Sequence, residues 1–381
     1  MGSQLTSHSA SRTGRAAVLQ RIASGIRRPA KRRPLRRFAL CIVKPDGIGD
    51  FILALGAVRL LINHFGAEDC VLAVWSAVRE LAAIEFPRTP QVVVPSVGTT
   101  LTPAAVWSAM QLRRKIGAWR FDELACLRHQ RSRFQNLVLH WVVAGKSSGL
   151  TNEPANYLGK DCEFAFSREG PYPIEGSDGQ CIELEAHRRV AEQTVCRKVL
   201  GNEVMPSLGG VGRRAGDYLL VCPFSNRTLK DYPADLLEAA VAEIQQTHAM
   251  PVRLSYAPAC QERAKTLEAR LRRRSVRVLS APPTSFPQFL ESVAGARAVL
   301  TVDTATAHIA TALDIPTVVI LGGGHYRQFG PWQKSVRQVW ISNPLPCFHC
   351  NWHCTQPEAY CITRVAPARL AAAMSQVLLR Q

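Results

Sequence analysis

Residues 299–324 read VLTVDTATAHIATALDIPTVVILGGG, and this stretch decides the fold. Val299-Leu-Thr-Val302 is a short apolar, β-branched run, and the Ala-rich segment Thr304 to Leu313 after Asp303 has a helix's composition. Pro316 forces a stop. Thr317-Val-Val-Ile-Leu321 is then a second buried strand running into Gly322, Gly323 and Gly324, so the stretch is one βαβ step of a parallel sheet. Ligands of such sheets sit at the carboxyl ends of the strands, where Asp303-Thr304 and the three glycines stand. Asp303 is placed to cap the helix, whose free N–H groups and partial positive charge suit an anion. Thr304 and His308 are four apart and share a face at the helix start. The same residues also read as a plain N-cap and a satisfied helix histidine, and spacing leaves both readings open.

Working outward, 381 residues suit two domains of roughly 150 to 170 residues, and 47% hydrophobic residues can fill two cores. No uncharged apolar run of about 18 residues appears, and residues 1–37 lack the apolar stretch of a secretion signal. The expectation is a cytoplasmic protein, peripheral at the inner membrane if it touches one. Residues 1–37 hold ten Lys/Arg and no acid, so of the net charge of +18 only +8 remains for the rest. Charge without apolar partners predicts a disordered basic arm. Such an arm is attracted to anionic headgroups by about 1 kcal/mol per basic residue. It lacks the interleaved aromatics that stack on bases, so nucleic acid is not expected as a partner. An arm without function is the other reading.

In chain order, Phe38–Val43 is a buried strand ending in Lys44-Pro-Asp-Gly-Ile-Gly-Asp50, and residues 51–65 form an apolar helix beside the sheet. The glycine turn fails the dinucleotide fingerprint at its third glycine, and the strand Val71–Trp75 does not end in an acid, so NAD is not expected. Alternation continues with a helix near Ser76–Ile84, strand Gln91–Val94, helix Pro103–Ile116, strand Phe121–Leu127 and a helical stretch Phe134–Gly145. Residues 151–180 read as loop, a helix covers about Glu183–Leu200, and the glycine-rich Gly201–Gly216 marks the domain boundary. The same grammar restarts with strand Tyr218–Cys222, the long turn Pro223–Pro233 and a helix Ala234–Thr247. Strand Val252–Tyr256, helix Gln261–Arg274, strand Val276–Leu279 and helix Phe286–Ala294 lead back to the opening stretch. Domains are therefore drawn at 1–37 (arm), 38–205 and 206–381, as two α/β halves leaving a cleft between their strand ends.

Of twelve cysteines, the first eight are scattered and read as buried hydrophobes or free thiols. Cys347, Cys350, Cys354 and Cys361 form a C-x2-C-x3-C-x6-C run, with His349 and His353 interleaved. Four thiols so close can fill a tetrahedral zinc or iron site, which would be structural because no ligand position stays open. The short spacing between second and third thiol leaves a reduced, metal-free cluster as the alternative.

Three pieces together resemble glycosyltransferase family 9, the lipopolysaccharide heptosyltransferases. These are the strand with GIGD50 and its apolar helix, the turn Ser225-Asn-Arg-Thr-Leu-Lys230-Asp-Tyr-Pro, and Val302-Asp-Thr-Ala-Thr-Ala-His308 with Gly330-Pro331 behind it. The resemblance spans about residues 38–375. It implies a GT-B fold, two Rossmann-like parallel-sheet domains facing a cleft, and inverting transfer of a sugar, usually heptose from ADP-heptose, to a hydroxyl of a lipopolysaccharide-core or other glycan acceptor. It also implies Asp50 as general base, Thr228 and Lys230 on the diphosphate, and Asp303, Thr304, Ala305 and His308 lining the nucleotide-sugar pocket, with Glu262 near the ribose. No cofactor is then required for catalysis, since Lys230 and a helix N-terminus can meet the leaving charge. Relatives that glycosylate autotransporter proteins carry an iron-binding Cys cluster, which makes a protein acceptor one alternative. A non-catalytic nucleotide-sugar or glycan-binding protein is another. Two departures, Ala305 where the family has glycine and Gly322-Gly-Gly-His-Tyr326 in place of its usual turn, touch the donor pocket and put donor identity in question.

Overall fold

The computed structural model describes residues 36–95, 103–151, 163–176, 180–214, 216–279 and 285–379. Most of the basic arm thus lies outside the described residues. The first half runs β1 (Arg36–Lys44), α1 (Ile48–Phe65), β2 (Cys70–Trp75), α2 (Arg79–Glu85), β3 (Gln91–Val94), α3 (Pro103–Ile116), β4 (Trp119–Cys126), α4 (Arg133–Trp141), β5 (Ala144–Leu150), β6 (Arg168–Gly170) and α5 (Ile182–Val195). The second half runs β7 (Leu219–Cys222), α6 (Ala234–His248), β8 (Val252–Leu254), α7 (Gln261–Arg273), β9 (Val278–Leu279), α8 (Phe286–Ala294), β10 (Ala298–Val302), α9 (Ala305–Ala312), β11 (Thr317–Ile320), β12 (Gln338–Ile341), α10 (Tyr360–Thr363) and α11 (Pro367–Leu379).

Each half forms one six-stranded sheet, in the orders β3-β2-β1-β4-β5-β6 and β12-β11-β10-β7-β8-β9. Every strand pairing is parallel. Counted within its half, each sheet has the doubly wound order 3-2-1-4-5-6, which reverses between its first and fourth strands. A crevice opens at that reversal. In the first sheet it lies beyond β1, where the chain enters Asp50; in the second it lies beyond β7 and β10, where Lys230 and Asp303 follow.

Three strands escape the sequence reading. β5, AGKSSGL, carries glycine, serine and lysine, all poor strand formers, and β6 is three residues inside a segment expected to be loop. Pairing with β4 holds β5 in place, and Ser147 and Ser167 exchange backbone and side-chain hydrogen bonds between 2.7 and 3.0 Å across β5 and the approach to β6. β12 was also not anticipated; it adds to β11 at the far edge.

One apolar cluster bridges the two sheets, and each half has a further cluster of its own. α1 is buried all round from Phe51 to Val58, and its cluster joins Leu40, Ile42 and Leu72 of the first sheet to Leu220, Val293, Ile309 and Trp332 of the second half. Such burial explains a helix apolar enough in length and composition to cross a membrane. Gly56 lets it pack: a Cβ there would stand 2.0 Å from the Val204 carbonyl oxygen of the connecting segment.

Candidate active site

β1 ends at Lys44, and Gly47 opens α1 without a side-chain cap, which leaves Asp50 in the first helical turn. Of the two glycines of GIGD50, Gly49 has a steric reason. A Cβ on Gly47 would sit 3.4 Å from Oδ2 of Asp50, and one on Gly49 would sit 2.9 Å from Cδ2 of His308 and 3.5 Å from Cα of Ala305. The start of α1 therefore abuts the start of α9 across the cleft. Asp50 is partly buried, and burial raises its carboxyl from the ordinary 3.8 to about 6. The Lys44 charge opposes that rise; Glu183 and Asp303 add to it, and Lys230 also opposes it. A carboxylate of one half thus senses the charged pair of the other.

That pair is Lys230 and Asp303. Lys230 Nζ donates to Asp303 Oδ2 at 3.0 Å, with both side chains largely buried. Here the sequence reading of Asp303 is corrected. Thr304 occupies the N-cap position of α9 and makes no side-chain capping bond, while Asp303 is engaged by the ammonium instead. The helix start thus keeps its N–H groups uncapped by any side chain, in line with an anion guest. Asp231 holds the turn carrying Lys230 by accepting from the Ser225 N–H at 2.7 Å and from Arg263 at 2.6 Å.

His308 is buried, and burial lowers its imidazole to about 4. Trp332 Nε1 donates to its Nδ1 at 2.9 Å. Because an indole nitrogen can only donate, Nδ1 is the acceptor and the ring proton sits on Nε2, 4.0 Å from Asp303 Oδ1. His308 is thereby a fixed neutral donor at the cleft. Thr228 lies exposed in the same turn as Lys230. Glu262 stands at the start of α7, exposed and paired with Lys265 at 2.8 Å, outside the contacts that join Lys230, Asp303 and His308.

The sequence reading missed a buried cluster behind Asp50. Lys44 Nζ donates to the Leu127 carbonyl at 3.1 Å and to His187 Nε2 at 3.0 Å, and pairs with Asp46 Oδ2 at 2.9 Å. Asp46 also pairs with Arg128. Glu183, one helical turn before His187, accepts from Tyr172 Oη at 2.8 Å and lies 3.2 Å from His129 Nδ1. Burial lowers the lysine and raises the glutamate, each opposed by the other's charge. Glu183 and His187 at i and i+4 on one helix were the available signal; nothing in the sequence tied them to Lys44.

The glycines Gly322, Gly323 and Gly324 form the floor beneath the Cys-rich loop. A Cβ on Gly322 would meet the Trp352 ring at 2.2 Å, on Gly323 the Phe348 ring at 2.3 Å, and on Gly324 the Trp352 ring at 2.5 Å. Lys230 Nζ sits 4.8 Å from the centroid of the same Trp352 ring. The three glycines therefore seat a loop whose tryptophan reaches Lys230. Cys347, Cys350, Cys354 and Cys361 line one small cavity of about 10 Å³ in this loop. Among the described residues no three His, Cys, Asp or Glu side chains are grouped to hold a metal ion. Cys354 instead donates to the Glu358 carbonyl at 3.6 Å.

Two doubly wound parallel sheets meeting at their carboxyl edges define a GT-B protein. The sequence model of "Glycosyltransferase family 9 (heptosyltransferase)" matches residues 182–356. Lipopolysaccharide heptosyltransferase 1 of Pseudomonas aeruginosa is 33% identical over 144 residues, 34% of this chain and 39% of that relative's length. Heptosyltransferase WaaC of E. coli, solved with ADP, superposes with a TM-score of 0.66 at 18% identity, covering 91% of this chain and 99% of that one. The iron-containing dodecameric glycosyltransferase TibC of enterotoxigenic E. coli gives 0.52 at 12% identity, covering 92% and 78%. At these identities the two structures share the fold.

Proposed function

We propose that this protein is an inverting glycosyltransferase that moves a sugar, best read as heptose from ADP-heptose, onto a hydroxyl of a lipopolysaccharide-core or other glycan acceptor. The observation that carries the reading is Asp50, a partly buried carboxyl with its pKa raised to about 6, facing the Lys230–Asp303 pair and the start of α9 across the cleft. A base near the working pH is suited to take the acceptor hydroxyl's proton as its oxygen attacks the anomeric carbon. The bond to the diphosphate oxygen breaks on the opposite face, and the leaving charge meets Lys230 and the uncapped N–H groups of α9. Those groups are in place before reaction and need no reorganisation. Thr304 and the neutral His308 lie beside this position, and Thr228 and Glu262 are assigned to the diphosphate and the ribose by the family pattern alone. A panel of nucleotide sugars tests the proposal. Transfer with ADP-heptose is expected, and a folded protein that neither binds nor turns over any nucleotide-diphosphate sugar rejects it.

A second reading, a protein-directed heptosyltransferase with a structural zinc or iron on Cys347, Cys350, Cys354 and Cys361, is favoured by the shared cavity of the four thiols. No step above passes through a metal, and the side chains as they stand do not form a ligand set. Elemental analysis of protein purified without chelator separates the cases: one zinc or iron per chain supports the site, and substoichiometric metal with a chelator-insensitive Tm removes it.

A further inference from the structure

α3 turns outward what most surface helices bury. Leu112 and Ile116 face the first sheet's core, whereas Val106, Trp107 and Met110 are exposed, Trp107 at 63% and Met110 at 59%. The helix sequence PAAVWSAMQLRRKI contains Arg113, Arg114 and Lys115 and no acid. Scattered apolar surface residues need no explanation, but three on one helix face beside an unbroken basic turn do.

The basic end of α3 is also where the N-terminal arm joins the fold. After Gly117 and Ala118 the chain enters β4, whose Trp119 and Arg120 stand opposite Arg36 and Arg37 of β1. Lys115 Nζ lies 5.6 Å over the Trp119 ring, and Arg36 lies over Phe38 at 4.4 Å. Asp122 on this edge is taken up by Arg37 at 2.6 Å. The sequence preceding Arg36, residues 1–35, carries eight Lys/Arg and no acid.

We propose that α3 is a membrane-docking helix that lies on an anionic lipid bilayer. Trp107 and Met110 enter the boundary between headgroups and acyl chains, while Arg114 and Lys115 engage the headgroups. An apolar patch with basic flanks and no acid matches an interfacial helix. A bilayer also presents anions without fixed geometry, which suits the long basic side chains at a helix end. Because α3 crosses over between parallel strands β3 and β4, it begins on the side of the sheet where Asp50 lies.

Sedimentation of the full chain with phosphatidylcholine vesicles, with and without phosphatidylglycerol, tests this without any turnover, so it stands or falls apart from the reaction proposed above. Wild type is expected to bind the anionic vesicles. Arg114→Gln with Lys115→Gln should lower the partition by about fivefold per charge removed. Trp107→Ser with Met110→Ser keeps every charge, lies outside the core, and should lower partition by about tenfold. Equal binding of that pair and wild type would overturn the proposal in favour of charge alone. So would a dimer in solution that the same pair disperses while wild type ignores vesicles, because a second copy would then cover the face. Quenching by lipid with brominated acyl chains reads insertion directly: Trp107→Phe should still bind but lose quenching, and unchanged quenching would also overturn it.

Discussion

In the proposed mechanism Asp50 is costly to the fold and useful to the reaction. Its folded pKa of about 6 lies above the ordinary 3.8, so the folded state favours the protonated form; the resulting stabilisation is full below about pH 4 and is lost as pH rises through 6. Neutral pH thus leaves an ionised carboxylate in a partly buried place. Asp50→Asn should raise the neutral-pH stability by about 1–2 kcal/mol, read as a higher Tm, while lowering turnover by at least about a hundredfold with donor affinity nearly kept. For wild type, kcat/KM should climb with pH through about 6 and level off above it, since the base must be ionised to accept a proton. A profile flat between pH 5 and 8 would refute the role. On the donor side, Trp352→Leu removes the ring beneath Lys230 and should weaken ADP binding by about three- to tenfold. In a Lys230→Ala background the same change should add nothing, because the ring acts through the ammonium. Additive losses would mean that Trp352 works otherwise.

At the scale of elements, the cleft geometry is set by two helix starts pressed together. Gly49 allows it: its missing Cβ leaves room for the edge of His308, a ring that cannot swing away because Trp332 holds its Nδ1. Gly49→Ala should cost about 1–3 kcal/mol in a denaturant melt and depress ADP affinity, as α1 and α9 move apart to admit the methyl. A variant with unchanged stability would show that the contact is not maintained. The strands carry a related lesson. β10 and β11 read as apolar runs because both faces are covered. β5 and β6 do not, because short partly polar segments are held by pairing with β4 and by side-chain bonds rather than by their own preference.

Over the whole molecule, α1 makes the two sheets one body, and α3 ends in three consecutive basic residues. Deleting residues 1–35 should leave the melting curve unchanged and weaken binding to anionic vesicles at low salt, since attraction is screened beyond about 8 Å at physiological salt. Retained vesicle binding would assign the whole effect to α3. The sequence by itself determined the α/β class, the order of most elements and the three motifs, because apolar runs, glycine turns and helix starts are local signals. It also identified Asp50, Lys230, Asp303 and His308 as candidates. Only the tertiary structure decided what each does. Asp303 is an ion-pair partner rather than a cap because Lys230, 73 residues away in the chain, arrives from the β7 turn. Lys44 is tied to Leu127 and His187, 83 and 143 residues distant, and the glycines 322–324 match the rings of Trp352 and Phe348 that fold over them. Such partners meet only when parallel crossovers bring distant strand ends together, and local sequence pattern carries no record of that meeting.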